Sequence, residues 1–187
     1  MKSGSLEWEI ADHFYAQHCR RKHLVVPNYR PYGWSECDLF VLDNADLFFE
    51  VEIKTSRADF FADAKKTLVQ PDGHRRVKHD LMLRGCHYGP VAFFYLLANG
   101  IVDLEEVPQH AGVFWINNLS TDAGIYFTAA RRAQPLHNQR FDIERERDAI
   151  MRRLSRKYWS IRVNEFCAPD DPPWFESESN MEVIGCA

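Results

Sequence analysis

No apolar run in this 187-residue chain reaches transmembrane length, and the N-terminus lacks a secretion signal. The sequence therefore predicts a cytoplasmic protein without membrane contact. Cysteine is scarce and scattered. Cys19, Cys37, Cys86, Cys167 and Cys186 form no C-x-x-C pair, which argues against a zinc ribbon and offers no disulfide framework. His74 and His79, like His13, His18 and His23, stand five apart, a spacing that does not repeat on a helix face, so no histidine is assigned to a metal. Internal repeats and low-complexity tracts are lacking too. Positive charge is missing from one end: from Asn164 to Ala187 there are six acids and neither Lys nor Arg. The formal net charge is −4, but the 27 acids less these six leave 21 against 23 basic residues, a body of +2 with an acidic tail. Such asymmetry fits a body that meets an anionic partner; a solubilising terminus is the alternative.

The hydrophobic share, 45%, suffices for one domain with a real core and a short appendage. Two apolar strands end in charge. Ser35-Glu36-Cys37-Asp38-Leu39-Phe40-Val41-Leu42 is followed by the turn residues Asp43-Asn44-Ala45-Asp46, then by Leu47-Phe48-Phe49-Glu50-Val51-Glu52-Ile53-Lys54. Alternation on a strand puts Glu50, Glu52 and Lys54 on one face. A hairpin folded about Ala45 sets Asp38 across from Glu52, and opposed Cβ atoms on one face lie about 4.5–5.5 Å apart. Two close carboxylates repel, and a divalent cation removes that cost. An oxygen-only site with few protein ligands suits Mg²⁺, which keeps waters and recruits phosphates; Mn²⁺ can substitute. Glu50 faces the same site, where it is either a supporting acid behind the metal ligands or simply solvated, the second being the favoured reading.

This arrangement resembles the PD-(D/E)XK nuclease superfamily, with Asp38 as the first acid and Glu52-Ile53-Lys54 as the acid-x-lysine; Cys37 stands where a proline is usual. Lys2-Ser3-Gly4-Ser5-Leu6-Glu7-Trp8-Glu9-Ile10-Ala11 is similar to the opening of archaeal Holliday-junction resolvases. Leu6, Ile10, Phe14 and Gln17 form a helix stripe. At about 100° per residue Glu7 falls roughly 60° from Ile10, closer than Glu9, and the resemblance places an additional metal-site acid at Glu7. Two solvated glutamates are the alternative. Thr55 to Lys66 resembles small bacterial and phage DNA repair endonuclease-like proteins of the same superfamily, in which a serine-x-x-aspartate-phenylalanine helix follows the acid-x-lysine strand. Here Ser56 is the N-cap, with Asp59 three residues on. The likeness continues through the strands at Pro90–Leu97 and Ala111–Ile116, covering residues 3 to 135.

The expected elements are a helix over 5–19, strands over 24–28, 37–42 and 47–54, a helix over 57–69, a break at Pro71-Asp72-Gly73, and a helix from Arg75 to Arg84. Strands near 91–97, 112–117 and 124–130 follow, with a short helical connection over Glu105–His110. An amphipathic helix over Phe141–Lys157 carries Ile143, Ile150, Met151, Leu154 and Tyr158 on one side and Arg145, Arg147, Arg152, Arg153 and Arg156 on the other. The fold class is α/β, a restriction-endonuclease-like mixed central sheet flanked by helices. The domains expected are a nuclease core over 1–135, a basic helix packed on it over 136–163, and a loose acidic tail over 164–187.

The resemblance implies a metal-dependent DNA endonuclease in DNA repair, recombination or phage DNA processing. Asp38, Glu52, Glu7 and the Ile53 carbonyl would hold Mg²⁺, and Lys54 would orient water or stabilise developing charge. Arg57, Lys65, Lys66, Arg75, Arg76 and Lys78 are candidates for neutralising DNA phosphates. A solvated charged face is the alternative for each. The rival functions are a non-catalytic DNA- or protein-binding module on a nuclease scaffold and a structure-selective junction resolvase, with which a homodimer is compatible.

Overall fold

Six strands form one mixed sheet. In this computed structural model residues 3–20, 22, 24–70, 73–119 and 124–166 are described. In sheet order the strands are β1 (Leu24–Tyr29), β2 (Cys37–Leu42), β3 (Phe48–Lys54), β6 (Ala92–Ala98), β7 (Gly112–Asn117) and β8 (Tyr126–Arg131). β3 pairs in parallel with β6, and β6 with β7; the other neighbours are antiparallel. The protein is thus α/β with a mixed sheet. Gly112 permits close packing at the centre, because a Cβ there would lie 2.4 Å from the Phe94 ring of the neighbouring strand.

Helix α1 (Ser3–Phe14) continues as a π-helical turn over Tyr15–Cys19 and covers one sheet face. Ile10 and Phe14 are buried against Leu39, Val41, Val51, Ile53 and Leu96, with Leu6 packed beside them. Gln17, the last member of the predicted stripe, donates to the Ile125 carbonyl at 2.9 Å. The opposite face carries Phe40, Leu42, Phe48, Phe93 and Tyr95, all buried, together with Glu50 and Glu52.

The crossover from β3 to β6 differs from its sequence expectation. Helix α2 spans only Arg57–Asp63, with Ser56 Oγ accepting from the Asp59 amide at 3.2 Å. A two-stranded antiparallel ribbon follows, β4 (Thr67–Val69) and β5 (Arg75–Val77), before α3 (Lys78–Leu83). Helical periodicity fails to extend past Asp63 because Thr67 and Val69 favour extended backbone. Gly73, at φ +79, closes the ribbon by donating to the Gln70 carbonyl at 2.9 Å. The connection after β6 is a single 3₁₀ turn over Leu104–Glu106, not a helix to His110.

The chain divides into two units, residues 1–150 and 151–187. Helix α4 (Ile143–Phe166) begins in the first and outlasts its expected end at Lys157. Within the first unit Ile150 is buried, and Glu146 accepts from Tyr29 Oη at 2.5 Å and from the Tyr32 amide at 3.2 Å. The expected buried side does not extend further, since Met151 and Tyr158 are exposed. Of the acidic tail, residues 167–187 lie outside the described residues.

Candidate functional site

The turn joining β2 to β3 is set by Asp43, whose Oδ1 accepts from the amides of Ala45 and Leu47 at 2.9 and 3.0 Å. The strands pair Leu39 with Val51 and Phe40 with Glu50, so the same register carried one residue further sets Asp38 opposite Glu52. The hairpin does fold about Ala45. Asp38 Oδ2 accepts from the Ile53 amide at 2.7 Å and lies 3.7 Å from Lys54 Nζ. Burial, then the neighbouring Glu52 charge, push its carboxyl up to about 6, against the pull of Lys54 and the Ile53 amide.

Glu50 is not solvated. It is fully buried, as is Glu52, and Lys54 is nearly so. Three lysines converge on Glu52: Lys54 and Lys66 reach Oε2 at 2.8 and 3.1 Å, and Lys78 reaches Oε1 at 3.0 Å. Lys78 also lies 2.8 Å from Glu50 Oε1, an ion contact off the hydrogen-bond axis, while Trp34 Nε1 donates to Glu50 Oε2 at 2.8 Å. Asp63 closes the lattice. Its Oδ1 lies 2.9 Å from Lys66 and 3.6 Å from Lys78, and its Oδ2 accepts from Tyr95 Oη at 2.5 Å. Tyr95 Oη is 3.0 Å from His79 Nε2, and His79 Nδ1 is 3.1 Å from His110 Nε2.

Burying this many charges is tolerable only because each has partners. Burial opposes ionisation of Glu52, yet the surrounding ammonium groups hold it down to about 2. Four inner carboxylates (Asp38, Glu50, Glu52 and Asp63) face three inner ammonium groups (Lys54, Lys66 and Lys78), one negative charge in excess. Glu50 takes up the imbalance: burial pushes it up to about 7 against the pull of Lys78, and the Glu52 charge adds to the rise.

Beside the lattice is a small cavity of about 20 Å³. It has room for about one water-sized occupant. Glu7 and Trp8 of α1, Pro27 and Asn28 of β1, Asp38 of β2 and Ile53 of β3 line it, with Ala11. Asn28 sits in the left-handed region, at φ +49, although it lies within a strand. Three of the four expected metal-site residues therefore share one cavity. The fourth, Glu52, turns both oxygens toward lysines. Among the described residues no three His, Cys, Asp or Glu side chains are grouped as a ready-made metal site.

The expected phosphate contacts are dispersed. Lys78 is fully buried in the lattice, and Lys66 is shared between Glu52 and Asp63. Arg57 forks onto Glu106 at 2.9 and 2.5 Å. Lys65, Arg75 and Arg76 are exposed, with Arg75 donating to Thr67 Oγ1 at 3.2 Å. The sequence assigns no site role to Asp63, Tyr95, Trp34, His79 or His110. The only local signal was Asp63 three residues before Lys66; Tyr95 lies within an apolar run that reads as pure core.

No family model and no curated protein matches this chain. It is similar to a solved structure of a protein of unknown function from Silicibacter pomeroyi, with 19% identity and a TM-score of 0.54, over 91% of this chain and 99% of that one. That likeness concerns the fold alone.

Proposed function

We propose that this chain is a metal-dependent nuclease of the PD-(D/E)XK type, acting on DNA. The observation that carries the reading is the shared cavity, in which Glu7, Asp38 and Ile53 converge from three separate elements beside Lys54. The donor set fits a hard cation. Asp38 is ionised only with difficulty where it stands, and a cation relieves that cost. Asp38, Glu7 and the Ile53 carbonyl would hold Mg²⁺ or Mn²⁺, with waters completing the shell. Glu52 joins them only by releasing a lysine, and among its three partners Lys66 is the one with solvent access, at 39% exposure.

A bound divalent ion supplies an acidified water and neutralises a phosphate oxygen. The chain's own residues do the rest. Above its pKa of about 6, Asp38 accepts a hydrogen bond and can orient an attacking water. Lys54 is fixed by Glu52 at 2.8 Å and stays charged, because Glu52 and Asp38 outweigh its burial and raise its pKa. Its charge is thus preorganised to offset the negative charge that grows as the phosphodiester is attacked.

The saturation of Glu52 by lysines favours a second reading, a non-catalytic DNA- or protein-binding module in which the lattice is purely structural. Purified protein incubated with Mg²⁺ or Mn²⁺ on linear, nicked, branched and single-stranded DNA, and on RNA, separates the two. Metal-dependent cleavage of any DNA form supports the nuclease; binding without cleavage under every condition supports the module.

A further inference from the structure

The second half of α4 carries a surface that the lattice does not use. From Met151 to Val163 the sequence has five basic residues, Arg152, Arg153, Arg156, Lys157 and Arg162, and no acid. At about 100° per residue Arg152, Arg156 and Trp159 fall within an arc of about 60°. Met151, Ser155 and Tyr158 extend that arc. Its apolar members stand in solvent: Met151 is 61% exposed, Tyr158 56% and Trp159 60%. Arg152 and Arg156 are exposed too, and with Met151 and Ser155 they line a shallow groove. The Tyr158 and Trp159 rings meet edge to face at 5.1 Å.

We propose that this face of α4 binds single-stranded nucleic acid, a substrate form that rests on the nuclease reading above. Arg152 and Arg156, one helical turn apart, take neighbouring phosphates, and Trp159 stacks on an unpaired base with Tyr158 bracing it. Charge complementarity calls for an anionic partner, and the exposed ring selects among such partners. In a duplex the bases are already stacked on each other. An acidic peptide satisfies the guanidinium groups but offers the indole no planar face. A membrane surface needs an unbroken apolar arc, whereas here Ser155 separates Trp159 from Met151 and Arg152 and Arg156 border Trp159 on its other side.

The test titrates full-length protein in EDTA, where cleavage plays no part, against a fluorescein-labelled single-stranded oligonucleotide, its duplex, and phosphatidylserine vesicles. Single-strand binding should exceed duplex binding. Trp159→Ala should weaken it roughly tenfold and Trp159→Phe should retain most of it. Arg152→Gln with Arg156→Gln should lower the slope of log affinity against log salt by about 1.4, two phosphates' worth. The proposal is overturned if duplex binds as tightly as single strand, if Trp159→Ala binds like wild type, or if vesicles bind and the oligonucleotide does not. Cleavage with metal that persists alongside α4-insensitive binding sinks this proposal alone. Binding that behaves as stated in a protein that never cleaves sinks the nuclease reading alone.

Discussion

Lys78 Nζ lies 3.0 Å from Glu52 Oε1 with neither side chain exposed, so a residue that reads as a surface cation is the inner anchor of the acid-lysine strand. Removing one partner of a buried ion pair strands the other's charge. Lys78→Met should therefore lower stability by about 3–5 kcal/mol in urea unfolding. Adding Glu50→Gln should recover part of the loss, because the Glu50 carboxylate left without Lys78 becomes neutral. A loss below about 1 kcal/mol, the range of exposed pairs, would contradict the lattice as described.

His110 gives the lattice a pH signature. Burial first, then His79 and Arg131, push its pKa down to about 4. The unfolded chain takes up this proton near the ordinary value of about 6.5. Between the two values the unfolded state binds more protons, so stability should fall as pH drops from about 6.5 toward 4. Glu50 works the other way, since its raised pKa favours the folded state as pH falls below about 7. The His110 share is read as a difference: in His110→Gln, the loss of urea midpoint between pH 7 and pH 4.5 should shrink relative to wild type. Parallel midpoints in the two proteins would refute it.

Lys54→Ala should reduce turnover far more than DNA affinity, since a fixed ammonium that acts on developing charge contributes mainly in the transition state. Single-turnover rates alongside EDTA-blocked binding make the comparison. An affinity loss that accounts for the whole effect would make Lys54 a plain phosphate contact.

The hairpin was legible because its determinants are local. Asp43 and Ala45 set the turn, and period-two alternation then places Asp38, Glu52 and Lys54 on one face without further information. The partners of Glu52 were not legible. Lys78 and Asp63 arrive from separate elements, and Tyr95 from another strand, so only the folded crossover brings them together. The β4–β5 ribbon was missed for a different reason: strands of three residues are too short to show a period, and Leu68, Arg75 and Arg76 suit a helix equally well. The same brevity hid the burial of Lys78, which sits at the start of α3 just past that ribbon.

The acidic segment beyond α4 offers a salt-dependent check on charge balance. A chain ending at Phe166 loses Asp170, Asp171, Glu176, Glu178 and Glu182. It should bind nonspecific DNA more tightly than the full chain at low salt. The gap should close as screening shortens to about 8 Å at physiological ionic strength. Equal affinities at low salt would reduce the segment to a solvated terminus.

The most direct measurement compares wild type with Asp38→Asn for Mn²⁺ affinity, by calorimetry, and for cleavage of a branched DNA in Mn²⁺ or Mg²⁺. Asp38 touches both the cavity and Lys54, so losing its charge should abolish cleavage and weaken the ion at least tenfold while leaving the far-UV spectrum unchanged. A mutant that binds Mn²⁺ and cuts DNA like wild type would contradict the assignment of this site.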